Sequence, residues 1–211
     1  MTLTYKTFIL GPIQNNSYLV YDDETRQALV IDPAMEPEPI AKFVRDNGLI
    51  LEKVFVTHGH FDHYYGLPYL LNEFPSIKEV DLHPGDLDLW NNGGGARHFW
   101  GKSIQVTEPN HLLIDGESLT LGKHEFSFRY APGHSNGSVV YYSQELNCAF
   151  VGDVIFYHSI GRTDLDDGDL NRLLESIRTR VFTLPEDTLL LPGHGESTSV
   201  AEEKTNNPFL V

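Results

Sequence analysis

The residues best able to do chemistry crowd into one stretch, Thr57-His58-Gly59-His60-Phe61-Asp62-His63. Three imidazoles and a carboxylate follow the pattern H-x-H-x-D-H. The run before it, Leu51 to Val56, has the apolar character of a buried strand, and the run after it, Tyr64 to Phe74, reads as a helix. The cluster therefore sits where a strand exits and a helix begins, a place where polar side chains converge outside a sheet. His58 and His60, two apart on an extended segment, project to one side and can share an ion. Asp62 and His63 are adjacent, so their side chains diverge, and they suit a second ion better than the first. Imidazole with carboxylate is borderline-to-hard ligation, which fits zinc, iron or manganese and argues against copper(I). The competing reading is a solvated loop that happens to be rich in histidine.

Further donors stand at the ends of later apolar runs. His134 follows Pro132-Gly133, Asp153 follows Gly152, and His194 follows Pro192-Gly193. Glycine lets the chain turn tightly there and leaves room beside a metal. A lone Gly-His is usually structural; together these three supply the coordination that the first cluster lacks. His58, His60 and His134 would hold one ion, Asp62, His63 and His194 the other, and Asp153 would bridge them. Asp62 and Asp153 are the candidate catalytic carboxylates. His83, His98, His111, His124 and His158 lack this context and read as surface or loop residues, with His158 the best placed to line a pocket.

The elements that must position these donors fall into two similar rounds. Strands are expected at Thr4–Leu10, Ser17–Tyr21 and Gln27–Ile31, then a helix opened by Pro37 and Pro39 and stopped by Asn47-Gly48, then a strand from Leu49 to Val56. A short strand near Lys78–Leu82 follows, with a possible short helix at Asp86–Trp90. The run from Asn91 to Ala96 is too glycine-rich for regular structure. It reads equally as an aromatic-edged lid, flanked by Trp90, His98, Phe99 and Trp100, or as a surface loop. The second round has strands at Leu119–Leu121, Glu125–Ala131, Ser138–Ser143 and Cys148–Val151. Helical spacing follows from Leu170 to Val181, and a last strand runs from Thr188 to Leu191. Two stacked sheets with helices outside, a four-layer αββα sandwich of the α/β class, accommodate this grammar. No linker is visible, so residues 1–211 are expected to form a single domain.

Composition narrows the function classes. Thirty acidic residues against fifteen basic ones give a net charge of −15. That disfavours nucleic acid and anionic membranes as partners. The single cysteine, Cys148, rules out an intrachain disulfide and lies in an apolar run as a core residue. With no signal-like N-terminus and no apolar run near the roughly 20 residues needed to span a bilayer, a soluble cytoplasmic protein is expected.

The ordered set T-H-x-H-x-D-H, P-G-H-S-N-G-S (132–138), G-D (152–153), G-R-T-D (161–164) and P-G-H-G (192–195) resembles the metallo-β-lactamase superfamily. More narrowly it is similar to the glyoxalase II-like, or hydroxyacylglutathione hydrolase-like, enzymes. The resemblance implies the αββα sandwich and the two ligand sets above. It also implies a pair of divalent ions, foremost zinc with iron or manganese as substitutes. Lactam hydrolysis is disfavoured, since the lactamases usually carry cysteine at the position of Asp153 and arginine or a similar residue at that of His63. Arg162 and Asp164 look like a structural pair behind the site. Only 17 residues follow His194, so the basic C-terminal region with which glyoxalase II binds glutathione is expected to be missing.

The implied reaction is attack of a metal-bridging hydroxide on a small-molecule thioester or ester carbonyl. No protein nucleophile is needed, which agrees with the absence of a G-x-S-x-G motif. Two other readings stand beside it. One is a mononuclear iron persulfide dioxygenase using His58, His134 and Asp153, and the other is a non-catalytic metal-binding protein on the same scaffold. Whether the chain is a monomer or homodimer is left open.

Overall fold

The computed structural model describes residues 2–104, 107–165 and 167–210. Strands β1 (Leu3–Leu10), β2 (Asn15–Asp22) and β3 (Gln27–Ile31) form an antiparallel meander. Strands β4 (Ile50–Phe55), β5 (Glu79–Leu82) and β6 (His111–Leu112) then join in parallel, giving the order β1-β2-β3-β4-β5-β6. Parallel neighbours need crossovers. These are α1 (Glu38–Asp46) between β3 and β4, α2 (Leu67–Glu73) between β4 and β5, and a longer passage carrying α3 (Leu87–Asn91) and α4 (Ala96–Trp100) before β6.

A second meander, β7 (Ser118–Leu121), β8 (His124–Tyr130), β9 (Val139–Ser143) and β10 (Cys148–Gly152), opens the other sheet. A hairpin of β11 (Ile155–Phe156) and β12 (Ser159–Ile160) follows, then α5 (Leu170–Ser176), whose last turn widens over Ile177–Val181. Strand β13 (Leu189–Pro192) returns parallel to β10, and β14 (Thr198–Ser199) leads into α6 (Val200–Asn206), for a sheet order of β14-β13-β10-β9-β8-β7.

Period-two alternation assigns each strand's faces to different layers. In β3, Ala28 and Val30 pack under Ile40, Val44 and Leu67 of α1 and α2. Leu29 and Ile31 face the other sheet, joining Phe55, Tyr141, Cys148 and Phe150. In β10 the pattern inverts: Cys148 and Phe150 point to the other sheet, while Ala149 and Val151 pack against Leu173, Ile177 and Val200 of the second helical layer. The result is the four-layer αββα sandwich read from the sequence. Each large apolar side chain fully buried here contributes on the order of 1.5–3 kcal/mol. Among the described residues no helix is long and apolar enough to cross a membrane.

Two segments differ from expectation. Helix α6 was not foreseen, because Val200 alone marks its buried apolar face. The glycine-rich run is short: only 92–95 separates α3 from α4. Trp90 is no lid edge. It is fully buried, stacks on Tyr64 with ring centroids 3.7 Å apart, and donates its indole N–H to Thr107 O at 3.0 Å.

Candidate metal centre

Strand ends from both sheets bring the predicted donors to one place. Strand β4 delivers Thr57 and His58; a turn through Gly59 and a single helical turn, Phe61–His63, deliver His60, Asp62 and His63. His134 lies in the β8–β9 connection, Asp153 just past β10, and His194 just past β13. The backbone stitches these loops together: Val139 N donates to Thr57 O at 2.9 Å, and Gly193 N to Gly152 O at 2.8 Å.

His58 Nε2, His60 Nδ1 and His134 Nε2 converge, with His60–His134 at 2.9 Å and His134–His58 at 3.2 Å. Ligands about 2.0–2.1 Å from a tetrahedral zinc lie about 3.3–3.4 Å from one another, so this trio already has nearly the spacing of a filled coordination face. The other trio is looser. His194 Nε2 is 3.3 Å from Asp62 Oδ2, and His63 Nε2 is 3.7 Å from the same oxygen. Asp153 spans the two, its Oδ1 3.5 Å from His63 Nε2 and its Oδ2 3.6 Å from His134 Nε2 and 3.8 Å from His194 Nε2.

Protonation follows from burial and from which charges sit nearby. Burial, with neighbouring imidazoles adding to it, holds His58 well below its ordinary pKa, and the same causes push His60 down to about 3. Both are neutral and offer lone pairs. Burial opposes charge on His63, but Asp153, Asp62 and Asp32 around it outweigh that and raise its pKa. Burial likewise opposes ionisation of Asp62 and Asp153, yet His63 and the other imidazoles keep both below the usual carboxylate range. His63 Nε2 and Asp153 Oδ1 are nonetheless buried without a hydrogen-bond partner. Buried polar atoms rarely go unpaired. Divalent cations would satisfy both, so the donor set fits metal by geometry, charge and residue type.

The supporting residues are largely ones the sequence reading did not single out. Asp32, placed there only as a strand stop, accepts from Thr57 N at 2.8 Å, Thr57 Oγ1 at 2.7 Å and His63 Nδ1 at 2.9 Å, which aims His63 Nε2 at the cluster. Its signal was present: like Asp153, it is an aspartate ending an apolar strand. Asp86 joins the two histidine loops, accepting from Gly59 N and Ser135 Oγ at 2.7 Å each and from Gly137 N. Asn15 donates to Asp62 Oδ2 at 3.0 Å. Gly193 is needed for space: a Cβ there would lie 2.4 Å from Asp153 Oδ1 and 2.5 Å from His63 Cε1.

Three expectations are corrected. His158 does not line the pocket; it turns to α6, where its Nε2 meets Glu202 at 2.7 Å. His124 is not a surface residue but is buried between Asp22 and Glu145. Arg162 and Asp164 do form a bidentate pair, at 2.7 and 2.8 Å, but it stands at the mouth of the site and not behind it. The guanidinium lies 5.6 Å from the Phe99 ring. Behind the site it is Arg162's backbone carbonyl that matters, accepting from His134 Nδ1 at 2.9 Å. Ile13, Phe61, Phe99 and Leu165 complete the wall of a cavity of about 320 Å³ above the donors.

Comparison with known proteins identifies the family. Residues 10–194 match the model of the metallo-beta-lactamase superfamily. The chain is 37% identical to a probable metallo-hydrolase, YqgX, of Bacillus subtilis (strain 168), covering 99% of this chain and 98% of that protein. It is 34% identical to the hydroxyacylglutathione hydrolase GloC of Haemophilus influenzae, covering 93% of each. It is 31% identical to the human mitochondrial persulfide dioxygenase ETHE1, over 92% of this chain and 71% of that one. Among solved structures, BLEG-1, described as a B3 metallo-beta-lactamase, superposes with a TM-score of 0.92 at 39% identity, over 99% of this chain and all of that one. A di-iron-bound form of TTHA1623 gives 0.86 at 36% identity, over 97% and 100%. With a family model over residues 10–194 and relatives alike over nearly its whole length, the chain belongs to the metallo-beta-lactamase superfamily.

Proposed function

We propose that this protein is a binuclear metal-dependent hydrolase acting on a small thioester of the S-2-hydroxyacylglutathione kind, or on a related ester. The observation that carries the reading is the second donor trio. Asp62, His63 and His194 gather around the far side of Asp153, with His63 Nε2 left unpaired and aimed inward. A second ion would give this nitrogen a ligand's role. In this reading His58, His60 and His134 would hold one ion and Asp62, His63 and His194 the other, with Asp153 available to both. When bound, two such cations supply Lewis acidity toward a carbonyl and bring the pKa of water to near neutrality. The chain's own part is orientation. Asp32 fixes His63, Asp86 fixes both histidine loops, and Ile13, Phe61 and Phe99 offer an apolar wall beside the donors against which a substrate would lie. Zinc is the foremost metal for this donor set; iron is supported by the di-iron form of TTHA1623.

A second reading has its own support. His58, His134 and Asp153 also make a two-imidazole, one-carboxylate set, and a persulfide dioxygenase is among the relatives. Metal content of the purified protein by mass spectrometry, paired with assays on S-lactoylglutathione, glutathione persulfide and a lactam, separates the readings. Two ions per chain with thioester cleavage is the expected result. One iron per chain with oxygen uptake on persulfide overturns it. So does lactam cleavage in preference to the thioester, the outcome that likeness to BLEG-1 keeps in the panel.

A further inference from the structure

Among the described residues four buried side-chain atoms have no hydrogen-bond partner. Three of them, on Asn15, His63 and Asp153, belong to the metal centre. The fourth, Asp81 Oδ2, lies elsewhere, at the β5–β6 side of the first sheet. Asp81 is fully buried, opposite Phe55 on β4 and His111 on β6. Glu79, two residues earlier in β5, shares its face. Glu79, Asp81 and His111 each bring a donor atom within 4.8 Å of the others.

From this we infer that Glu79, Asp81 and His111 form a separate divalent-cation site, supported from behind by Glu117. The histidine is arranged as a ligand is. Its Nδ1 faces Asp81 Oδ1 at 2.9 Å, while its Nε2 lies 3.4 Å from Glu117 Oε2. Metal-bound imidazoles commonly give their second N–H to a carboxylate in this way, which fixes ring and tautomer. Charge balance points the same way. Three carboxylates set against Lys53, which pairs with Glu79 Oε1 at 2.7 Å, leave a deficit that one dication would fill once Asp81 is ionised. Lys53 takes one oxygen of Glu79 and leaves the other free. One imidazole and two carboxylates suit zinc or manganese, and the part-exposed His111 and Glu79 side chains leave the site open to solvent water as a further ligand. An ion-pair network alone would leave Asp81 Oδ2 buried and unsatisfied.

The test uses the whole protein with its main centre loaded. Wild type, His111→Gln and Asp81→Asn are dialysed against Zn²⁺, and bound metal per chain is counted, with circular dichroism to confirm folding. Wild type is expected to hold one more zinc than either variant. Crystals soaked in Zn²⁺ are expected to show an anomalous peak beside His111 Nδ1 in wild type alone. Equal stoichiometry in all three folded proteins, or no peak at His111, overturns the inference. Because His111 and Asp81 lie outside the main centre, a failure here leaves the proposed hydrolase reading untouched.

Discussion

Two buried histidine–carboxylate clusters in this molecule use the same ingredients and end in opposite states. At His124, both ring nitrogens are engaged, Nε2 with Asp22 Oδ2 at 2.8 Å and Nδ1 with Glu145 Oε2 at 2.7 Å. Asp22 also caps its own turn by accepting from Glu24 N and Thr25 N. Every donor and acceptor named there has a partner. At the candidate metal centre the groups are more numerous, yet His63 Nε2 and Asp153 Oδ1, 3.5 Å apart, are buried without a hydrogen-bond partner. Buried histidine and aspartate therefore do not by themselves mark a functional site. What separates the two clusters is whether the protein alone completes the hydrogen bonding.

That contrast is broken most severely at Asp153. Asp153→Asn keeps the shape but removes the bridging charge. Hydrolysis is expected to fall about a hundredfold to a thousandfold, the effect of losing several kcal/mol of transition-state stabilisation. Bound metal per chain should fall with it. Unchanged turnover in a purified, folded sample would remove Asp153 from the centre altogether. Next in size is Asp32→Asn. The left-handed backbone at Asp32, φ +51°, suits asparagine, so the fold is expected to survive. His63 loses its charged partner, and metal affinity is expected to fall about 10–100-fold by competition with a chelator. An affinity equal to wild type would mean that Asp32 only braces Thr57.

How much of this was legible in sequence differs by level. The residues that converge were legible by two signals: His58, His60, Asp62 and His63 by their spacing, and His134, Asp153 and His194 by a glycine at a strand end, and Gly193 shows why the glycine is there: no side chain fits between Asp153 and His63. The layers were legible because both halves repeat several strands followed by a helix, and because runs such as 28–31 and 148–151 are apolar without a break, as strands covered on both faces must be. Asp32 and Asp86 were not singled out, since their partners are 25 to 51 residues away and local pattern carries no trace of that pairing. His124 misled for the same reason. It sits beside Gly122-Lys123, a turn signal, and Asp22, which meets its Nε2, comes from the other sheet, 102 residues away. Trp90 read as a loop aromatic because its stacking partner, Tyr64, belongs to a different crossover.

The satisfied cluster should respond to pH and temperature but not to metal. Burial works against charge on His124, but hydrogen bonds to Asp22 and Glu145 outweigh it and hold its pKa above the ordinary 6.5. That contribution to stability is fully present below 6.5 and is lost as pH rises through the folded-state value. Asp22 is held well below its ordinary 3.8, chiefly by His124 and by the turn N–H groups, so its share is present above 3.8 and lost as pH falls through its folded-state value. His124→Gln is thus expected to lower Tm by several degrees, with the gap to wild type widest between those two ordinary values and closing on the alkaline side. Metal content should not change. A gap that stays constant across the range would show that His124 is neutral and acts by packing alone.

The smallest effect is expected at Arg162, and its smallness is informative. The side chain stands at the cavity mouth, where a substrate carboxylate could reach it, but Asp164 already takes two of its N–H groups and half of it is open to solvent. An exposed pair of this kind contributes about 0.2–1 kcal/mol, so Arg162→Gln is expected to raise KM by no more than about fivefold with kcat unchanged. The carbonyl that holds His134 Nδ1 belongs to the backbone and survives the substitution. A loss in kcat of a hundredfold or more would mean that the guanidinium leaves Asp164 and reaches the reacting carbonyl, making the mouth part of the chemistry. A KM effect that vanishes at high salt would instead fix its role as weak electrostatic capture of an anionic leaving group.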